Sequence, residues 1–142
     1  ATRSGRIGVI GTQATVGSRA YDDSFSAAPH LQVTSAACPR FVEFVEAGIT
    51  GGPELLEVAR EYLAPLQERD VDTVVLGCTH YPLVAPQIQA QLGPQVQLVD
   101  TSQAVARRTA ALAVRRSPAS AGRTKSMLQP EATAANPWLL QA

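Results

Sequence analysis

The sequence predicts an α/β fold with three layers: a mostly parallel sheet of about four strands, with helices on both faces. Short apolar strands alternate with helical segments along the chain, which is typical of βαβ units. One strand, Val74–Leu76, is apolar at every position instead of alternating. Such a strand is expected to be buried on both faces, as in a parallel sheet that is covered by helices.

The first part of the chain supplies two predicted strands. Arg6–Gly11 (RIGVIG) is the first, and a short helix is expected to follow it through about Asp22. Leu31–Ser35 (LQVTS) is a weaker second strand that ends before Ala36–Pro39. Both strands are followed by small and polar residues, the composition expected of connecting loops.

A long helix is predicted to open at Pro53, because a proline in the first turn of a helix costs no hydrogen bond. Pro65 lies inside this helix and predicts a kink or a break near Ala64. Five apolar residues recur at helical spacing and form one face: Leu55, Ala59, Tyr62, Leu63 and Leu66.

The second half of the chain completes the alternation. After the third strand, Val74–Leu76, a helix is predicted over Leu83–Leu92 and a fourth strand over Val96–Val99. A last helix is expected to be capped by Thr101 or Ser102. Its predicted apolar face contains Val105, Thr109, Leu112 and Ala113.

Composition limits the class of protein. Twelve basic residues balance twelve acidic ones, so no overall field attracts nucleic acid or an anionic membrane. No apolar run approaches the roughly 20 residues of a membrane span. Two cysteines without framework spacing argue against a secreted disulfide scaffold and favour a cytoplasmic location. Residues 117–142, rich in Ser, Ala, Pro and Thr, are predicted to be a disordered tail. The chain begins at Ala1, which suggests a fragment or a processed chain.

Polar and reactive side chains follow each predicted strand. In a parallel sheet these segments share one edge, where open α/β sheets bind ligands. Hydroxyls and backbone N–H groups there are suited to holding a small carboxylate. Ser and Thr are equally common in turns and caps, so that interpretation stays open as well. The residues concerned are Thr12, Thr15, Cys38, Cys78, Thr79, His80, Asp100, Thr101 and Ser102.

Cys78 is the strongest candidate for chemistry. A thiol between a strand end and a helix start can act as a base or a nucleophile. His80 could stabilise the thiolate or supply a proton, or it could be a solvent-facing imidazole. Cys38 is predicted to be a buried structural thiol. A zinc site formed by these three residues and His30 would lack paired spacing, so no metal is expected.

Three segments then resemble a known family. Val74–Pro82 (VVLGCTHYP) resembles the second cysteine motif of the glutamate racemases, within the aspartate/glutamate racemase family. Ile7–Thr15 (IGVIGTQAT) resembles the threonine-bearing segment of that family. Ala37–Glu46 (ACPRFVEFVE) resembles the segment that carries its glutamate near the active site. Order and spacing agree, and the resemblance runs from about Arg6 to Arg116.

The resemblance implies a function. This family interconverts L- and D-glutamate without a metal or pyridoxal cofactor and supplies D-glutamate for peptidoglycan. Two cysteines stand on opposite faces of the substrate Cα, where one removes a proton and the other returns one. The implied roles are catalytic for Cys78 and His80, substrate-binding for Thr79, Thr12 and Thr15, and site-proximal acid for Glu46, with Glu43 an extra surface acid.

The chain also departs from the family pattern. Family members have two similar α/β domains with the active site between them, and the first carries an Asp-Ser segment and a cysteine in a Cys-Asn-Thr context. Neither segment occurs in these 142 residues. We therefore expect residues 1–100 to be the second domain and residues 101–116 a helix that returns toward the first. The predicted partners are glutamate, that first domain and a second copy in a homodimer, and the chain alone is expected to be inactive.

Other functions remain open on the sequence alone. Aspartate and hydantoin racemases would share the architecture, although the GCTHYP run and the Ala-Cys-Pro segment favour glutamate. A Cys-His hydrolase would use Cys78 as its nucleophile, but nothing supplies a third orienting residue or an oxyanion motif. A non-catalytic module could keep the carboxylate-holding hydroxyls without turnover.

Overall fold

The computed structural model describes residues 2–116, which form a four-stranded parallel sheet in the order β2-β1-β3-β4 with helices on both faces. The predicted fold class is therefore confirmed. The elements are β1 (Arg6–Gly11), α1 (Gln13–Gly17), α2 (Ala20–Phe25), β2 (Gln32–Ala37), α3 (Pro39–Glu46), α4 (Pro53–Glu68), β3 (Thr73–Leu76), a 3-10 turn (Tyr81–Val84), α5 (Ala85–Leu92), β4 (Gln97–Asp100) and α6 (Thr101–Arg116).

The two faces of the sheet carry cores of different size. On the larger side, buried residues of α3, α4 and α5 pack with Ile10, Val74 and Leu76 of the sheet. On the smaller side, Ile7, Val9 and Val75 pack with side chains that include Tyr21 and Phe25 of α2. The strands alternate between these cores because successive side chains of a strand point to opposite faces.

Helix α4 packs closely on the centre of the sheet. Leu55, Val58, Ala59, Leu63 and Leu66 form its buried face, so the predicted apolar stripe is confirmed in its main members. Gly8 of β1 makes the close approach possible, because a Cβ there would lie 2.6 Å from Cδ2 of Leu66.

Local predictions differ from the structure in several places, including the helix predicted through about Asp22, which is divided into α1 and α2. Helix α4 continues through Pro65 without a break; Pro65 and Glu61, whose carbonyl the proline leaves unpaired, are both exposed, so water can satisfy that carbonyl. The second strand extends to Ala37, two residues beyond the predicted end. Helix α3 was not predicted, although Pro39 occupies its first turn.

The last helix is capped by a different residue from those expected. Oδ1 of Asp100 accepts the Ser102 N–H at 2.8 Å, whereas the Thr101 hydroxyl donates to the Leu76 carbonyl at 3.0 Å. Thr101 thus ties α6 to the end of β3. On the predicted apolar face, Val105 is 63% exposed and Leu112 is 45% exposed.

Two further predictions concern a membrane span and the C-terminal tail. No helix among residues 2–116 is long and apolar enough to cross a membrane. The predicted disordered tail, residues 117–142, lies outside the described residues, as does the side chain of Ala113.

Candidate active site

The strand-end segments share one edge, as the parallel pairing requires. β1 is central, with β2 on one side and β3 on the other. The chain passes from β1 to β2 on one side of the sheet and continues through β3 and β4 on the other, so the strand order reverses between β1 and β3. Such a switch point is where open α/β sheets form ligand crevices. Thr12 follows β1 and Cys78 lies just after β3, so the two segments that carry most of the predicted site flank this point.

Gly77 allows the two segments to approach. Its N–H donates to the Ile10 carbonyl at 2.8 Å, which extends the pairing of β3 with β1 by one residue. A Cβ at this position would lie 2.8 Å from the same oxygen and 3.3 Å from the Tyr21 ring. A larger residue would therefore push the Cys78 segment away from β1.

The structure brings Cys78, His80 and Glu46 together. Sγ of Cys78 lies 3.7 Å from Nδ1 of His80, and Nε2 of His80 lies 3.7 Å from Oε1 of Glu46. One imidazole thus stands between a thiol and a carboxylate. The His80–Glu46 distance is that of an ion pair without a hydrogen bond, and both side chains are open to water, at 35% and 68% exposed.

This arrangement is suited to proton transfer. A carboxylate near Nε2 favours the tautomer with its proton on that nitrogen, which leaves Nδ1 free to accept the thiol proton. The resulting imidazolium lies beside the thiolate and stabilises it. Exposed ion pairs are weak, commonly about 0.2–1 kcal/mol, so the contact with Glu46 is expected to contribute only modestly to this arrangement.

Thr12 and Thr15 lie side by side, and their hydroxyl groups contact each other. Their hydroxyl oxygens lie 3.0 Å apart, and Oγ1 of Thr12 accepts the Thr15 N–H at 3.2 Å as the cap of α1. The capping interpretation therefore describes part of their role. Thr79 is exposed, so its hydroxyl is open to a ligand.

Cys38 is buried, as predicted. Its side chain is 0% exposed, and its thiol donates to the Ala36 carbonyl at 3.7 Å. Burial raises the pKa of Cys38 to about 12. This thiol is therefore neither accessible nor ionised near neutral pH. His30 is exposed and precedes β2, at the opposite edge of the sheet from Cys78.

The sequence interpretation missed Tyr81. Its side chain is fully buried, and its hydroxyl donates to the Cys38 carbonyl at 2.8 Å. The available signal was the position of a large aromatic residue directly after His80, before Pro82 ends the segment.

Cys78 is partly buried against the larger core. A cavity of about 300 Å³ lies at the other end of the sheet, lined by residues that include Arg3, Gln67 and Asp72, and so does not contain the site. Among residues 2–116, no group of three His, Cys, Asp or Glu side chains is arranged to hold a metal ion.

Comparison with known proteins supports one family. The model of the Asp/Glu/Hydantoin racemase family matches residues 1–109. A glutamate racemase from Acidothermus cellulolyticus is 62% identical over 107 residues, which are 75% of this chain and 41% of the relative. One from Mycobacterium leprae is 56% identical over 107 residues, 75% of this chain and 39% of the relative.

Solved structures agree with the sequence relatives. A glutamate racemase from Francisella tularensis in complex with D-glutamate matches with a TM-score of 0.74 and 33% identity, covering 78% of this chain and 42% of that one. An Escherichia coli glutamate racemase with L-glutamate and the activator UDP-MurNAc-ala matches with a TM-score of 0.67 and 34% identity, covering 83% and 46%. The chain thus spans less than half the length of these proteins.

Proposed function

The chain belongs to the Asp/Glu/Hydantoin racemase family, and on that premise we propose that its strand-end site is one half of the active centre of a glutamate racemase. The observation that carries this proposal is the contact of His80 with both the Cys78 thiol and the Glu46 carboxylate. The glutamate bound to the relatives from Francisella tularensis and Escherichia coli supports glutamate as the substrate.

In the proposed reaction Cys78 acts as a base on one face of the substrate. His80 accepts the thiol proton, and the Cys78 thiolate then removes the proton from the glutamate Cα, forming an S–H bond. The electron pair of the broken C–H bond is delocalised into the substrate carboxylate. A thiol on the opposite face donates its proton to Cα and gives the other enantiomer. No metal or pyridoxal cofactor takes part.

The opposing thiol has to come from outside these 142 residues. The only other cysteine of the sequence is Cys38, which is 0% exposed. Because burial raises the pKa of Cys38 to about 12, this group cannot alternate between acid and base near neutral pH. We assign the missing base to the first α/β domain that the family resemblance implies.

A covering domain also meets a second requirement. The α-proton of an amino acid is very weakly acidic, so the carbanion needs hydrogen bonds in a site that excludes water. Here Thr79 is exposed and His80 is 35% exposed. We propose that Thr79, Thr12 and Thr15 hold the substrate carboxylates from this side and that the first domain closes the other.

Helix α6 supports the same assembly. Its apolar residues Val105 and Leu112 are 63% and 45% exposed, and Thr101 anchors its start to β3. We propose that residues 1–100 form the second domain and that residues 101–116 carry the chain back toward the first. The remaining expectations are D-glutamate supply for peptidoglycan, a cytoplasmic location and a homodimer.

A chimera tests the proposal. Residues 1–109 would replace the matching segment of the Acidothermus cellulolyticus glutamate racemase, and exchange of the glutamate α-hydrogen with D₂O would be followed by NMR in both enantiomers. We expect racemisation by the chimera and a loss of about 10²–10⁴-fold in C78S, the usual contribution of a catalytic acid or base.

Two glutamates of α3 supply a matched control. E46Q should lower kcat by about two- to fivefold, as expected for the loss of an exposed ion pair, whereas E43Q should not change it.

Full exchange by C78S would contradict the base role of Cys78. An acyl-enzyme trapped on Cys78 would favour a hydrolase, and glutamate binding without exchange would favour a binding module. Faster turnover of aspartate than of glutamate would show that aspartate is the preferred substrate.

A further inference from the structure

Tyr81 links the candidate site to the core. It follows His80 directly, and its side chain is 0% exposed. Its ring packs edge-on against Phe41 of α3, with centroids 5.5 Å apart and planes at 90°. The Tyr81 hydroxyl donates a hydrogen bond to the Cys38 carbonyl at 2.8 Å.

A series of hydrogen bonds connects three strand ends through this tyrosine. The Cys38 N–H donates to the Gly11 carbonyl at 2.8 Å, and the Tyr81 N–H donates to the Cys78 carbonyl at 3.2 Å. The bond from the Tyr81 hydroxyl to Cys38 joins these two. The ends of β1, β2 and β3 are therefore coupled at the edge where Cys78 lies.

Helix α3 contacts the Cys78–Tyr81 segment at both of its own ends. Cys38, which accepts the Tyr81 hydroxyl, immediately precedes the helix. Glu46, its last residue, carries the carboxylate that lies 3.7 Å from His80. Because a helix is a rigid rod of defined rise per residue, a tether at its start limits where Glu46 can lie relative to His80.

We propose that Tyr81 is a positioning residue for the candidate active site: its hydrogen bond to the Cys38 carbonyl holds His80 between the Cys78 thiol and the Glu46 carboxylate. The inference rests on the proposed function, in which His80 accepts the thiol proton. Tyr81 itself is enclosed in the core and does not touch the substrate.

The hydroxyl can be removed without a large structural penalty. In Y81F the ring and its packing remain, and the Cys38 carbonyl still accepts the Phe41 N–H, 3.2 Å away. No buried acceptor is left without a partner, which is the costly outcome when hydrogen bonds are deleted. Burial raises the pKa of Tyr81 well above its usual range, so the hydroxyl stays protonated and keeps donating at working pH.

A double-mutant cycle on thiol reactivity tests the role. The rate of Cys78 alkylation by iodoacetamide is measured in the 142-residue chain, with the modified cysteine identified by peptide mass. We expect H80Q to slow alkylation by about fivefold when Tyr81 is present and by less than about twofold in the Y81F background, a non-additivity typical of groups that act through each other. Equal effects of H80Q in the two backgrounds, including no effect in either, would overturn the proposal.

Tyr62 provides the control. It also packs edge-on against Phe41 at 5.5 Å, so Y62F removes a hydroxyl from the same aromatic cluster. The H80Q effect should be unchanged in Y62F, and near-UV circular dichroism should show that both tyrosine variants keep a packed core. If Y62F abolished the coupling as Y81F does, a general loosening of the cluster would replace the specific tether.

Alkylation requires no substrate, so the two proposals fail separately. If the chimera does not racemise glutamate but the mutant cycle shows coupling, the proposed function is wrong and the positioning role of Tyr81 stands. If the chimera racemises glutamate but the mutant cycle is additive, the positioning role of Tyr81 is wrong and the proposed function stands.

Discussion

At the scale of single residues, burial separates two cysteines of identical chemistry. Cys78 lies at the carboxyl edge of the sheet, partly buried, and contacts an imidazole at 3.7 Å. Cys38 follows β2, two strands away from β3, and is 0% exposed in the larger core. The same thiol group is therefore available for proton transfer at one position and inert at the other.

This difference predicts selective alkylation. At pH 8, iodoacetamide should modify Cys78 in the folded chain and leave Cys38 intact, because burial raises the pKa of Cys38 to about 12 and excludes the reagent. Peptide mass mapping checks the site of modification. In urea both cysteines should react at similar rates, and modification of Cys38 in the folded chain would contradict its burial.

Asp72 organises the segment that precedes β1. Its carboxylate accepts hydrogen bonds from the Thr2 hydroxyl at 2.7 Å, the Arg3 N–H at 2.7 Å, the Ser4 N–H at 2.6 Å and the Thr73 hydroxyl at 3.0 Å. The hydrogen bonds from Thr2, Ser4 and Arg3, with that from Thr2 the largest contribution, hold the pKa of Asp72 well below its usual range. The ionised form is thus favoured in the folded state.

The lowered pKa of Asp72 predicts a pH-dependent stability. Its contribution is fully present above the unfolded-state pKa of about 3.9 and is lost as the pH falls through the folded-state pKa. D72N should therefore lower the urea midpoint at pH 7, and the difference from the parent should shrink as the pH is lowered below about 4. D70N is the control, since Asp70 is exposed with φ 48, a conformation that Asn tolerates. A constant D72N effect down to pH 2 would contradict the linkage.

At the scale of elements, the contact of α4 with β1 depends on a missing side chain. A Cβ at Gly8 would lie 2.6 Å from Cδ2 of Leu66 and 3.0 Å from Cγ2 of Val74. Leu66 and Val74 are both 0% exposed, so neither can turn out into solvent, and closely packed interiors leave little room for a shift. Helix α4 would have to shift away from the sheet.

Gly8→Ala is therefore expected to destabilise the chain by about 1–3 kcal/mol, the usual cost of overpacking. Gly17→Ala is the matched control, because a Cβ there meets nothing within 4 Å, and it should stay within about 0.5 kcal/mol of the parent. Urea unfolding measures both. Equal effects of the two substitutions would show that helix–sheet approach is not the cause.

Helix α6 differs from the other long helix because its apolar residues Val105 and Leu112 face water. A V105S/L112S double variant should leave the stability of the 142-residue chain within about 0.5 kcal/mol of the parent, since both side chains are already exposed, at 63% and 45%. In the chimera context, the same pair should destabilise the assembled protein. Leu83, 59% exposed on the 3-10 turn, gives the control L83S. A loss of stability in the 142-residue chain itself would mean that α6 packs on residues 2–100.

At the scale of the whole molecule, the proposed half of a two-base site is expected to be silent by itself. The 142-residue chain should show racemisation at the background rate, because its only other cysteine, Cys38, is 0% exposed and cannot serve as the opposing thiol. Adding the unmatched part of the Acidothermus cellulolyticus relative in trans should restore turnover, and C78S should abolish it again. Robust turnover by the purified chain alone would contradict the half-site proposal.

The sequence by itself determined the architecture, and it supplied the candidates for the reactive residues. Apolar runs of strand length separated by helical periodicity predicted the parallel sheet, because local pattern decides which face of an element is buried. The spacing of Cys78 and His80, two positions apart beyond a strand end, also placed them within reach. Of the kink or break predicted near Ala64, the break does not occur, because Pro65 lies on the exposed side of a continuous helix. The cap predicted at Thr101 or Ser102 was wrong, because Asp100 accepts the Ser102 N–H and Thr101 bonds to the neighbouring strand.

Only the tertiary structure decided how α3 joins the site. The Tyr81 hydroxyl and the Cys38 carbonyl are 43 positions apart, and Glu46 reaches His80 from a helix that was not predicted. These contacts depend on how Phe41 and Phe44 pack α3 onto the sheet. Periodicity in a sequence specifies the buried face of each element, but the distance between side chains on different elements is set by the packing of those faces against one another.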